Sequence, residues 1–160
     1  VNKMTNMLKN QRGLTLIELL AVVVILGIIA AIAVPSIGGI IDNTKRDAHI
    51  ANAEQMVSST RLAMASNVSG SENSSNTYSL EQLRSNGFIE NMDSPSDGSY
   101  SSSSEVEVDD SSDPTTYTVT LEAENGGTFI DEITIEALRG NGEDEGRETV
   151  TLNPEDPSSE

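Results

Sequence analysis

The chain has 160 residues, a formal net charge of −17, no cysteine and 3% aromatic residues. That length suits one small domain, and the missing cysteines exclude a disulfide scaffold, a thiolate metal site and a cysteine nucleophile. The acidity repels phosphate backbones, so direct nucleic-acid binding by the exposed surface is not expected.

In chain order, residues 1–13 are polar and basic, with Lys3, Lys9 and Arg12 and no acid among them. They read as a leader or a cytoplasmic flank, because positive residues beside an apolar segment mark its cytoplasmic end. From Leu14 to Val34 only Thr15 and Glu18 are clearly polar. A helix of about 21 residues spans roughly 30 Å, the thickness of a hydrocarbon core. Three readings fit this segment. It can be an ordinary signal anchor. It can be a secretory signal peptide, with Leu19–Ala30 as hydrophobic region and Ala31-Ile32-Ala33 as the small-x-small cleavage pattern. Or it can be cut at Gly13, ahead of its apolar part, and keep the hydrophobic helix.

Helical spacing continues past Pro35 over Ser36–Ser66, where Ile50, Ala53, Val57 and Met64 share one face and Asp42, Lys45, Arg46, Asp47, Glu54 and Arg61 supply the polar side. The pattern predicts one helix from about Leu14 to about Ser66, kinked near Pro35, apolar all round in its first half and amphipathic in its second. Asn67–Thr77 reads as a loop. Ser79–Asn86 reads as a short helix capped by Ser79, with Leu80 and Leu83 inward and Gly87 as its stop. Phe88 and Ile89 follow as a buried extension, and Asp93–Gly98 is a turn. Ser101–Ser104 and Asp109–Pro114 read as low-complexity, mobile stretches, with Glu105–Val108 between them as an edge strand. Tyr117–Ala123 alternates as a half-buried strand, Asn125-Gly126-Gly127 is a hairpin turn, and Phe129–Leu138 is a second strand region with a bulge near Asp131, where Ile130 falls out of phase with Ile133 and Ile135. Gly140–Gly146 is a turn, Thr149–Leu152 a third short strand, and 153–160 a frayed, disordered tail.

The sharpest constellation is Arg12-Gly13-Leu14-Thr15-Leu16-Ile17-Glu18-Leu19-Leu20 together with Ala30-Ala31-Ile32-Ala33-Val34-Pro35. A small residue, a hydrophobic residue, Thr, an apolar pair, Glu and then an unbroken apolar span resembles the N-terminus of the type IV pilins, including the pseudopilins of type II secretion and competence systems. The family usually has Phe where this chain has Leu14, a hydrophobic replacement. The resemblance implies a pilin-like α+β fold: a long kinked N-terminal helix packed on a small antiparallel sheet. It divides the chain into a leader at 1–13, a transmembrane and filament-core helix at 14–35, the amphipathic half of that helix at 36–66, a small α+β region at 67–152 and the tail. It further implies that a membrane prepilin peptidase cuts between Gly13 and Leu14 on the cytoplasmic side and methylates the new Leu14 amine, leaving a still more acidic chain. The product is a structural subunit, not an enzyme and without a cofactor. It waits as a single-pass membrane precursor among lipids. It then joins copies of itself and other pilins in a helical filament on the cell surface, driven by an assembly ATPase and an inner-membrane platform protein. Competence and type II secretion-like systems, and adhesive or motility pili, all use this plan. Gly27 and Pro35 are positions between which pilin helices can lose helical hydrogen bonding in a filament.

Glu18 fits that reading on physical grounds. A carboxylate buried among helices needs a cationic partner, and the nearby candidate is an amine at Leu14, which exists only after cleavage. Leu14 and Glu18 are i and i+4 on one helix; between staggered subunits, Glu18 of one can meet the amine of the next. Thr15 can add a hydrogen bond. The assembly residues are therefore Glu18 and Thr15, to which the resemblance adds Pro35.

Other candidates carry less. Asp109, Asp110 and Asp113, or Glu143, Asp144 and Glu145, could ligate calcium. Yet aligning Asn141–Leu152 to a calcium loop puts Gly146 at the glycine position and Leu152 where a bidentate Glu is needed, so both stretches read as solvated acidic turns. His49, the single histidine, has no ligand-spaced partner and reads as a surface or packing residue. With one His and no Cys, triads and His-based zinc sites lack parts. No GxxxxGK[ST] is present, so the chain is not the assembly motor.

Overall fold

The computed structural model describes residues 15–70, 76–96, 98–140 and 145–154. The leader, the Gly13–Leu14 junction, Asp97, Glu143, Asp144 and the end of the tail lie outside them. The chain divides into two compact units, Val1–Ile40 and Ile41–Glu160.

One helix, α1 (Leu16–Ala65), passes through both. It runs on through Pro35, which has no N–H to offer the carbonyl one turn back, at Ala31. In the first unit the large side chains from Leu16 to Ile37 are all at least half exposed. In the second unit the helix supplies His49, Ala53, Met56, Val57, Thr60 and Ala63 to the core. The buried stripe follows the expected amphipathic face, with Ile50 and Met64 partly buried at its margins. α1 ends in a Schellman turn. Asn67 takes a left-handed φ of 56°, Asn67 N–H donates to the Met64 carbonyl at 3.0 Å, and Val68 N–H donates to the Ala63 carbonyl at 3.0 Å.

The remaining elements are β1 (Thr77–Ser79), α2 (Leu80–Ser85), β2 (Glu105–Asp109), β3 (Thr116–Glu122), β4 (Thr128–Thr134), α3 (Ile135–Arg139) and α4 (Glu145–Glu148). The strands form one antiparallel sheet in the order β1-β2-β3-β4. Its inner face carries Tyr78, Val106, Val108, Tyr117, Val119, Leu121, Phe129 and Ile130, all buried, and packs with the second half of α1. This is the α+β architecture expected from the sequence. The helix Ser79–Asn86 also forms as expected. Ser79 caps α2 by accepting from Gln82 N–H, and Gly87 at φ 76° closes a second Schellman turn through Phe88 N–H to the Leu83 carbonyl at 2.9 Å.

Several local expectations are corrected. β2 is an interior strand, paired on both sides, because the loop after α1 gives up Thr77–Ser79 as the unforeseen β1. Ser104, placed in a mobile stretch by composition, is buried, and its hydroxyl bonds the Glu122 backbone on both sides, from N–H at 3.0 Å and to the carbonyl at 3.3 Å. The second strand region stops at Thr134, not Leu138, since the Thr134 hydroxyl accepts from Ala137 N–H and starts α3. Thr149–Leu152 forms no strand; it leaves α4 through a turn closed by Val150 N–H donating to the Arg147 carbonyl at 3.1 Å, with Val150 buried and Thr151 N–H donating to the Phe129 carbonyl at 2.9 Å. The bulge near Asp131 is present. Val119 faces Ile133 while Leu121 faces Ile130, so Asp131 and Glu132 stand together opposite Thr120, with Glu132 at φ 48°. A second register shift lies between the Leu121–Ile130 and Glu122–Thr128 pairs, which is why the neighbours Phe129 and Ile130 both point inward.

Candidate processing and assembly site

The helix starts where Thr15 can cap it. Thr15 backbone N–H donates to Glu18 Oε2 at 2.9 Å, Thr15 Oγ1 donates to the same oxygen at 2.7 Å, and Glu18 N–H points to Thr15 Oγ1 at 3.3 Å. Thr15-Leu16-Ile17-Glu18 is a capping box: residues three apart exchange side-chain bonds for backbone donors that the first turn leaves without partners. Among the described residues the helix thus begins at Leu16, directly after Thr15. The signal was present in the sequence as Thr-x-x-Glu ahead of an apolar run, and reading Thr15 only as an added hydrogen-bond donor missed it.

Around this cap the surface is apolar. Leu16 is 85% and Ile17 72% exposed, and exposed Leu, Val and Ile side chains continue to Ile41. α1 is long and apolar enough to cross a membrane, and its most hydropathic stretch buries nothing. A helix that is hydrophobic on every side needs lipid or other helices around it. Pro35 sits within that helix, exposed. Of the residues singled out from the sequence, the fold brings Thr15 and Glu18 together, and it leaves Pro35 apart from them along the helix. Gly13 and Leu14 lie outside the described residues.

Chemistry of other kinds finds little footing. Among the described residues no three His, Asp or Glu side chains converge as metal ligands. The charged groups that line one shallow depression beside the second half of α1 are engaged with one another: Arg139 Nε to Glu54 Oε1 at 2.8 Å, and Arg147 to both oxygens of Asp47 at 2.6 and 2.8 Å. The Arg147 bonds hold the Asp47 carboxyl below its ordinary value, against a smaller opposing effect of burial. His49 is fully buried, and burial, with Lys45 adding a like charge, pushes its pKa down to about 4. Its hydrogen-bond partners come from far along the chain, so the sequence offered no signal for them.

Residues 8–34 match the family model of the prokaryotic N-terminal methylation motif. That is the prepilin motif of type IV pilins and pseudopilins. The match takes in the capping box and the apolar half of α1. No curated protein and no solved structure matches the chain.

Proposed function

We propose that this chain, which carries the prepilin motif, is a structural subunit of a type IV pilus-like filament. It is cut between Gly13 and Leu14 by a prepilin peptidase, methylated on the Leu14 amine, and assembled from the membrane. One observation carries the reading: a Thr15–Glu18 cap heads an exposed, membrane-length apolar helix inside residues matched by the methylation motif. In the stored precursor Lys3, Lys9 and Arg12 stay on the cytoplasmic side, the first half of α1 crosses the bilayer, and the acidic α+β unit lies outside. The cap supplies the Glu18 carboxylate with two donors of its own residue group before any neighbour is available. In a filament the same carboxylate meets the amine created at Leu14, and a subunit out of step leaves a buried charge without its partner.

The partners that follow are other copies of the chain and other pilins, the peptidase, an assembly ATPase with its inner-membrane platform protein, and lipid before assembly. The system served is of the competence or type II secretion kind. The strongly acidic chain leaves DNA capture, where it occurs, to another subunit. N-terminal sequencing and intact mass of the protein made alongside a prepilin peptidase test the reading. The expected product begins at a methylated Leu14. A product beginning at Val34 would mark a secreted protein with an ordinary signal peptide, and an uncut chain would mark a membrane-anchored protein of another class; either result overturns the assignment.

A further inference from the structure

His49 lies at a junction that the filament reading does not use. It faces the core from α1, stacks on Phe129 of β4 with ring centroids 4.4 Å apart, and meets Tyr100 edge-on at 5.7 Å. Both ring nitrogens reach hydroxyls: Nδ1 is 2.7 Å from Tyr100 Oη and Nε2 is 2.9 Å from Ser96 Oγ. One turn further along α1, Asn52 Nδ2 donates to Tyr100 Oη at 3.0 Å and is 3.2 Å from the Asp93 carbonyl. We propose that His49 and Asn52 form an acid-sensitive latch that holds the segment Asp93–Ser96 against α1 and releases it when the imidazole takes up a second proton.

The hydrogen-bond pattern assigns the protons. Tyr100 Oη already accepts from Asn52, so its own hydrogen goes to His49 Nδ1. Nδ1 is therefore the acceptor, and Nε2–H donates to Ser96. A proton added at Nδ1 meets the phenol hydrogen head-on, and one of the two donors then lacks an acceptor inside a closed core. Burial further disfavours the imidazolium, as does the cation facing the ring, Lys45, one turn back on α1. The loop side contributes Tyr100 and the Asp93 backbone; Tyr100 is pushed up to about 12 by burial and remains a donor throughout. β4 contributes the uncharged Phe129. Asp97 lies outside the described residues.

The sign follows from that lowered pKa. The latched imidazole titrates at about 4 and a released one near 6.5, so the latch is at full strength above pH 6.5 and weakens as the pH falls toward 4, by about 300-fold in the closing equilibrium. Release can be local. Asp93–Ser96 belongs to no named strand; its ties include the two α1 side chains, the bridge from Asp93 to Ser99, a long 3.5 Å bond from Asn91 Nδ2 to Asp93 Oδ1, and its own Ser96 N–H to Ser94 Oγ bond. Buried Met92 anchors the chain before it and buried Tyr100, bridged to Ala123, anchors the chain after it. Acid thus uncovers the His49–Asn52 flank of α1 while the sheet stays paired.

The test uses the full chain in detergent micelles. With a single histidine in the sequence, the imidazole proton resonance reports His49 directly, and amide hydrogen exchange reports Asp93, Ser94 and Ser96. The expected outcome is an imidazole midpoint below about pH 5. Exchange at those three amides, corrected for intrinsic rate, rises roughly tenfold or more relative to β3 between neutral and mildly acid pH. His49→Gln, which keeps polar bonds but cannot titrate, removes the pH dependence. Tyr100→Phe, which takes away the donor to Nδ1, raises the imidazole midpoint. An imidazole midpoint near 6.5 in the wild-type protein, the same acid-induced exchange in His49→Gln, or an unmoved midpoint in Tyr100→Phe overturns the latch.

Discussion

At the scale of single residues, Glu18 and Gly146 show two ways in which one position constrains a chain. Glu18 closes the first turn of α1 through both Thr15 donors, a local arrangement that either state of the protein can keep. Its proposed second task, meeting an amine on a neighbour, is separable from cleavage. Glu18→Ala is therefore expected to leave processing at Gly13 largely intact and to abolish or sharply reduce filaments, scored by mass spectrometry and electron microscopy; normal filaments would refute the register role. Gly146 is constrained by space. A Cβ there would stand 1.8 Å from the Leu138 carbonyl oxygen, backbone that no flexible side chain can cede. Gly146→Ala should cost about 2 kcal/mol or more, read as a lower urea midpoint. These residues also differ in how far the sequence exposes them. Thr15 and Glu18 act over three positions and are visible as a motif. His49 was legible only as a lone histidine, since its Tyr100 partner is 51 residues away. Gly146 was read as part of a turn, because nothing local announces that α3 passes against it.

At the scale of elements, the strongest periodic signals held. The 50-residue α1, the capped α2 and the strongly alternating β3 were all readable from spacing and turn chemistry. β1, α3 and α4 were not. β1 has three residues and exists by pairing Tyr78 with Val106, a contact that supplies what its own sequence lacks. Ile133 and Ile135 looked like one strand face, yet the Thr134 hydroxyl turned the chain into α3 between them. Thr149–Leu152 has β-forming residues and one bond to Phe129, but β4 offers it no ladder. α4 is held to α1 by charge instead: Arg147 grips Asp47, and Arg46 Nη1 reaches the carbonyls of Arg147 at 2.8 Å and of Val150. Asp47 is about half exposed, at 49%, so solvent screens the pair, and Asp47→Asn should cost only about 0.5–1 kcal/mol at neutral pH. Because the folded carboxyl sits below its ordinary value of 3.8, the difference between wild type and Asp47→Asn should be full above that value and vanish as the pH falls through the folded pKa. Chemical denaturation of both proteins across that range checks it.

At the scale of the whole molecule, the chain joins an apolar stretch without buried side chains to an acidic unit with a closed core. With a formal charge of −17 and an isoelectric point near 4.1, copies of the chain repel one another at neutral pH, a repulsion that helix packing in the proposed filament has to outweigh. Turbidity of the detergent-solubilised chain should rise steeply as the pH approaches 4 and fall again at higher pH; a flat profile would show that the acidic surface does not control association. The grip of Arg46 on the C-terminal segment bears on how the sequence can drift. Arg46 recognises two main-chain carbonyls, a feature every residue type supplies. The grip therefore places no demand on the side chains whose carbonyls it takes, beyond the apolar one that buries Val150 and the charged one that pairs Arg147 with Asp47. Random substitution at Glu148 and, proline apart, at Thr151 should be absorbed, while the intolerance gathers on Arg46 itself, on Gly146 and on Thr149, whose hydroxyl donates to the Gly146 carbonyl at 2.7 Å. A saturation library across Arg46 and residues 146–151 would read as a barcode of backbone against side-chain recognition.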